Sequence, residues 1–162
     1  MARYSYSKLS AYRTCPLQYR YKYIDKLPIE VAPSIEAFLG SRVHDALEWL
    51  YRQVAATRVP TITDVLAAYE SFWDAERTSD LRIVDRDLDE AAYRATGRRC
   101  LELYVARHAP FADGIVLGLE RGFQIPLGDG LVLQGFIDRL MKTKDGSYEV
   151  HDYKTSQRLP TP

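Results

Sequence analysis

Three stretches near the end of the chain decide how the rest is read: Gly118-Leu119-Glu120-Arg121, Gly135-Phe136-Ile137-Asp138-Arg139 and Val150-His151-Asp152-Tyr153-Lys154-Thr155. Gly128-Asp129-Gly130 and Asp145-Gly146 separate them, and both read as hairpin punctuation because glycine supplies the positive φ that tight turns need. The spacing predicts three short strands across residues 115–155. Alternate residues of a strand share a face. Asp152 and Lys154 are therefore expected on one face with Tyr148 and Val150, and His151 and Tyr153 on the other. Asp138 is expected beside Gln134 and Phe136, and Glu120 beside Val116 and Gly118. If the strands pair in order, three carboxylates and one ammonium meet on one patch.

Carboxylates brought together repel, so such a patch either splays or takes up positive charge. A hard divalent cation resolves the conflict, since Mg²⁺ prefers oxygen ligands and is commonly held by one or two carboxylates. Lys154, two residues past Asp152, adds a mobile point charge suited to a developing oxyanion. An isolated Asp-x-Lys at a strand end is ordinarily just solvated. The weight lies in the combination.

That combination resembles the PD-(D/E)XK nuclease superfamily, in particular its RecB-like exonuclease branch, which includes helicase–nuclease and CRISPR-associated nuclease domains. The resemblance runs through Ser7-Lys8-Leu9-Ser10-Ala11-Tyr12-Arg13-Thr14-Cys15-Pro16-Leu17, Gly40-Ser41-Arg42-Val43-His44, Gly135-Phe136-Ile137-Asp138-Arg139 and Asp152-Tyr153-Lys154-Thr155, nearly the whole chain. It implies a restriction-endonuclease-like core of α/β (α+β mixed) class, and a metal-dependent deoxyribonuclease, exonuclease-like, of DNA repair or recombination. It implies that His44, Glu120, Asp138, Asp152 and the Tyr153 carbonyl ligate Mg²⁺ or Mn²⁺, with Glu120 bound directly or through water. Glu120, Asp138, Asp152 and Lys154 would form the catalytic set, Lys154 positioning the attacking water. Arg13, Arg20, Arg42, Arg139 and Thr155, in the basic opening or inside the motifs, are expected to contact nucleic acid. The implied partners are DNA and a helicase or repair-complex subunit. The alternative is a catalytically silent nuclease fold that binds DNA or protein.

Iron–sulfur members of the branch add three cysteines near the C-terminus to one matching Cys15. A cluster needs four thiolates, and this chain has Cys15 and Cys100 alone, so no cluster is expected and a small buried thiol is the reading of Cys15. Relatives also continue past the lysine with a Gln-x-x-x-Tyr segment. Here Gln157 comes early, no tyrosine follows, and the sequence stops at Pro162. A C-terminally truncated core is therefore expected, with an exposed sheet edge that invites dimerisation.

The remaining features fit one domain over residues 1–162, mainly helical through residue 110 and ending in the three-stranded sheet. The chain is 46% hydrophobic and 27% charged, a composition of globular rather than disordered proteins. No apolar run approaches a membrane span, the opening lacks a signal-peptide core, and a cytoplasmic protein is the expectation. Formal net charge is zero, yet residues 1–26 hold six cations against Asp25, while residues 64–90 hold nine acids against three arginines. Such asymmetry locates a charged partner better than the total does. Six of the twelve tyrosines also lie in the basic opening. Cations interleaved with rings suit single-stranded nucleic acid, and they equally suit an amphipathic packing face; both readings stand at this point.

Helices are signalled by caps and apolar spacing. Ser5 or Ser7 starts one that Pro16 interrupts, and Pro16 starts a second through Tyr19 and Tyr23. Pro28 to Pro33 reads as a loop. Ser34 starts a third helix to about Thr57, with Ile35, Phe38, Leu39, Leu47, Leu50 and Val54 as its stripe. Gly40 lies one turn before His44, which suggests a close approach there. Thr61 or Thr63 starts a fourth helix, and Asp89 or its neighbour a fifth that Pro110 stops. His108 reads as a helix C-terminal cation, and His151 carries no assignment.

Overall fold

The structure, a computed structural model, describes residues 2–28 and 32–155. Residues 29–31, within the stretch expected as a loop, and the terminal segment with Gln157 lie outside the described residues. The chain divides into two compact units, one of Ala32–Leu119 with Asp138–Pro162, the other of Met1–Val31 with Glu120–Ile137. Helices and a mixed sheet give the α/β class expected.

The larger unit is built on three helices, α3 (Ile35–Ala55), α4 (Ile62–Glu76) and α5 (Glu90–His108). Each begins where the sequence supplies a cap. Ser34 Oγ accepts from the Ala37 N–H at 3.3 Å and Asp89 from the Ala92 N–H at 2.8 Å. Thr61 and Asp64 form a reciprocal capping box on α4, satisfying N–H groups that a helix start leaves without partners. The α3 stripe of Ile35, Phe38, Leu39, Val43, Ala46, Leu47 and Leu50 is buried, at the three- and four-residue spacing of one helix face. Val65, Tyr69 and Trp73 of α4 and Leu101 and Val105 of α5 close over it. The seven largest fully buried side chains all come from these helices. At roughly 1.5–3 kcal/mol per buried large apolar side chain, most of the folding free energy gathers here.

Gly97 permits the α4–α5 crossing. A Cβ there would lie 2.2 Å from Tyr69 Oη and 2.8 Å from Leu39 Cδ1. The Tyr69 hydroxyl donates to the Arg94 carbonyl at 3.2 Å, so the ring is tied in place and cannot simply swing away.

Two long strands, β2 (Gly114–Gly128) and β3 (Leu131–Thr143), run through both units, and β4 is Tyr148–His151. In the larger unit β4 pairs antiparallel with the end of β3, Arg139 opposite His151 and Lys142 opposite Tyr148. Gly146 has φ +90° in the connecting turn, and the Asp145 carboxylate accepts from the Ser147 N–H at 3.1 Å. The turns fall at the glycines, but β2 and β3, of 15 and 13 residues, are long where short strands were expected.

The smaller unit holds β1 (Ala2–Tyr4), α1 (Tyr6–Thr14), α2 (Pro16–Tyr19) and a π-helical continuation, Arg20–Ile24. Ser5 caps α1 by accepting from the Lys8 N–H. Cys15, expected as a buried apolar residue, is only half-buried and caps α2 by accepting from the Gln18 N–H at 3.5 Å. Tyr12, Tyr19 and Tyr23 stack in sequence at 5.3 Å, while Tyr6 stays 83% exposed. The tyrosines thus divide between packing and open surface. One element was not foreseen: β1 pairs parallel with Leu131–Leu133, so among the described residues the sheet has four strands, where three were expected. Three residues are too few to show an alternation. No helix among the described residues is long and apolar enough to cross a membrane.

Gly97→Ala is expected to destabilise the protein by roughly 1–3 kcal/mol through overpacking, read as a lower urea midpoint at unchanged slope. A second expectation concerns acid. The Arg77 guanidinium, then the Trp73 indole N–H, hold the Glu90 carboxyl below its ordinary range. A depressed folded pKa contributes stability that is present above the unfolded value and lost as pH falls through the folded one. Glu90→Gln should therefore lower the melting temperature at neutral pH, and the gap to the parent should narrow as pH falls below the ordinary glutamate value and through the depressed folded one.

Candidate metal centre

His44 projects from α3 one turn after Gly40, and Asp138 lies on β3. Both are shielded, with side chains 28% and 11% exposed. What joins them is the backbone of Tyr153, just past β4. Its N–H donates to Asp138 Oδ2 at 2.7 Å, and its carbonyl faces His44 Nε2 at 3.0 Å. A carbonyl can only accept, so this contact puts the imidazole proton on Nε2. In the neutral ring the Nδ1 lone pair then faces Asp138 Oδ2, 3.6 Å away. The Tyr153 and His44 rings meet edge to face at 5.7 Å.

Glu120 completes the group. One ligand atom from each of His44, Glu120 and Asp138 lies within 4.8 Å of the others. Opposite ligands of a cation with bonds of 2.0–2.1 Å are about 4.2 Å apart. Adjacent ligands would be closer still, so the three side chains would draw in around an ion, and two carboxylates with an imidazole suit a divalent one. Glu120 reaches this position by a route that alternation did not reveal. Its φ is +45°, in the left-handed region that non-glycine residues seldom enter. Both Val116 and Leu119 pack on the helical core, so the two-residue period is broken just before Glu120.

Asp152 and Lys154 stand on a common side, as expected, but they bond each other at 2.6 Å and both stay mostly exposed. Asp152 is outside the three-residue group. The Tyr153 carbonyl, expected as a ligand, faces His44 instead. Past His151 the strand has ended, and the side chains of Asp152 and Lys154 are free of the ladder.

The residues expected to touch nucleic acid are scattered in environment. Arg13 is exposed at the end of α1. Arg20 pairs with Asp25 at 3.0 Å. Arg42 lies over Phe38 and pairs with Asp45 at 3.0 Å, its side chain only 13% exposed. Thr155 is half-buried, its Oγ1 3.4 Å from where a Cβ on Gly40 would lie; the close approach foreseen at Gly40 is this segment. Arg139 is a correction. It is 2% exposed, with its guanidinium 3.8 Å over the Tyr51 ring, and no surface partner reaches it.

That buried arginine belongs to a cluster the sequence reading missed. Tyr51 and Tyr104 share a hydroxyl hydrogen bond at 2.8 Å, and Tyr104 meets Tyr153 edge to face at 5.7 Å. His108 and His151 are pushed below the usual histidine range by burial and then by the Arg139 charge. This overrides the helix-end stabilisation expected for His108. Tyr51 lies seven residues beyond His44, a two-turn spacing that marks it as a face-mate.

The sequence profile of the PD-(D/E)XK nuclease superfamily matches residues 3–162. The chain belongs to this superfamily, and its mixed α/β architecture agrees with a restriction-endonuclease-like fold. Among curated proteins none matches it. Membership brings an expectation of metal-dependent nuclease chemistry, and His44, Glu120 and Asp138 offer a group able to hold the ion.

Asp138→Asn keeps an oxygen for the Tyr153 N–H and removes one of two crowded negative charges. It should melt at or above the parent temperature in EDTA. Asp138→Ala strands that N–H and should be less stable than Asp138→Asn by about 1–3 kcal/mol, measured by denaturant titration of the two variants side by side.

Proposed function

We propose that the protein is a Mg²⁺- or Mn²⁺-dependent deoxyribonuclease of the RecB-like, exonuclease type, acting on DNA in repair or recombination in the cytoplasm. The observation that carries this reading is the convergence of His44, Glu120 and Asp138 within 4.8 Å in a chain of this superfamily. His44, Glu120 and Asp138 would hold the ion, with Asp152 as a further ligand, while the Tyr153 carbonyl, on the Nε2 side of the imidazole, stays with His44. The bound ion supplies Lewis-acid polarisation of the phosphodiester and acidifies a water.

The chain's own groups do the rest. Tyr153 keeps Asp138 and His44 aimed at one point, which avoids reorganisation during the reaction. Lys154 orients the attacking water. Hydrolysis places that water's hydroxyl on phosphorus, breaks one P–O ester bond and delivers a proton to the departing alkoxide. Lys154 is engaged with Asp152, but exposed ion pairs contribute only about 0–1 kcal/mol, so turning toward a substrate costs little. Arg13 and the open tyrosines of the smaller unit would hold the strand. A helicase or repair subunit delivering the DNA, and a homodimer through an exposed sheet edge, extend the same reading.

The Asp152–Lys154 pair, exposed and outside the group, favours a second reading: a catalytically silent DNA- or protein-binding module. The two are separated by one set of measurements on the full-length protein. Under the first, DNA is degraded with Mn²⁺, EDTA stops it, and Asp138→Asn loses more than about a hundredfold, beyond the usual effect of outer-shell changes. DNA binding with no Mn²⁺ uptake by calorimetry selects the second. Cleavage that survives both EDTA and Asp138→Asn overturns the metal mechanism.

A further inference from the structure

Arg139 follows Asp138 directly on β3 and is buried, and its Nε has no hydrogen-bond partner. Its neighbours are rings: the guanidinium carbon lies 3.8 Å from the Tyr51 centroid and 5.9 Å from that of Tyr153. Burying a cation without full hydrogen bonding is unfavourable, and an apolar side chain of similar volume often serves stability as well or better. Packing alone does not account for an arginine here. Its surroundings suggest what does. Tyr51 is on α3, two turns from His44; Tyr104 is on α5; Tyr153 carries the backbone groups that face His44 and Asp138. The planar guanidinium stacks where the elements bearing both ligands and their clamp meet, a geometry for which lysine is no equivalent.

We infer that Arg139 is a positioning residue of the metal centre. Its stack on Tyr51 sets α3 against β3, so that His44 Nε2 meets the Tyr153 carbonyl while Nδ1 faces Asp138. The purpose of this device rests on the metal-binding reading above, but the contact it controls exists without any ion and is measurable alone.

The test uses the full-length protein and the variants Arg139→Met, Tyr51→Phe and Tyr51→Leu. Three quantities are read: the melting temperature in EDTA, the nitrogen-15 NMR signal of the His44 Nε2–H in EDTA, and Mn²⁺ affinity by calorimetry. Arg139→Met is expected to melt at or above the parent temperature, yet to lose the protected Nε2–H signal and bind Mn²⁺ at least about tenfold more weakly, the scale of supporting-residue effects at metal sites. Tyr51→Phe keeps the ring and should keep both signal and affinity, whereas Tyr51→Leu should lose both. A folded Arg139→Met with the parent's His44 signal and affinity overturns the inference. If Arg139→Met does not fold, Tyr51→Leu is read in its place, and a parental His44 signal there overturns it equally. A parent that takes up no Mn²⁺ sinks the proposed function, while the His44 signal in EDTA still decides the role of Arg139.

Discussion

The site depends on two backbone atoms of one residue. Tyr153 directs its N–H to Asp138 and its carbonyl to His44, bridging a strand residue and a helix residue separated by 94 positions in sequence. Up to His151 the backbone of β4 pairs with β3. Beyond that point the ladder stops, and groups that a further rung would have used are turned over to side chains. A backbone clamp of this kind is indifferent to the side chain at 153, which leaves the Tyr153 ring to pack against Tyr104 and His44.

Such a clamp is needed because the group it holds resists assembly. Two carboxylates within 4.8 Å repel in the absence of a counter-charge, and Glu120 holds a left-handed backbone that costs about 1–3 kcal/mol for an ordinary residue. Both terms oppose the arrangement, and neither is relieved by apolar burial. A site so disfavoured by its own chemistry persists only where the surrounding structure over-determines it. In the structure this shows as a break in alternation between Val116 and Leu119, both of which pack on the helices.

What was legible in the sequence was local. Caps at Ser34, Thr61 and Asp89, the α3 stripe and the glycine turns each carry a short-range signal, and each appears in the structure. What was not legible depended on partners distant in the chain. The strand β1 exists because Leu131–Leu133 offers it a parallel edge, and three residues cannot announce that. Glu120 was placed by assuming unbroken alternation, which a single positive φ defeats. Arg139 was given to nucleic acid because it stands inside a motif; its aromatic surroundings come from α3, α5 and the segment just past β4, which no window of sequence contains. Tyr51 was within reach of inference, since seven residues from His44 on a long helix is a face-mate spacing.

These placements divide the site into parts of unequal rigidity. His44 sits on the helix that also carries the buried stripe from Ile35 to Leu50, so its position inherits the stiffness of a close-packed core. Asp138 is tied by the Tyr153 N–H and flanked on β3 by the buried Arg139. Asp152 and Lys154 have neither support: they lie beyond the paired part of β4, exposed, and held by each other. On the proposed nuclease reading, the shielded His44 and Asp138 beside an exposed carboxylate–ammonium pair would suit phosphodiester hydrolysis. Charge stabilisation gains from groups fixed in advance, whereas the group that handles water must follow a substrate whose position is set only on binding. On that reading Lys154 is exposed where handling water would ask for motion, and His44 and Asp138 are held where binding a metal would ask for none.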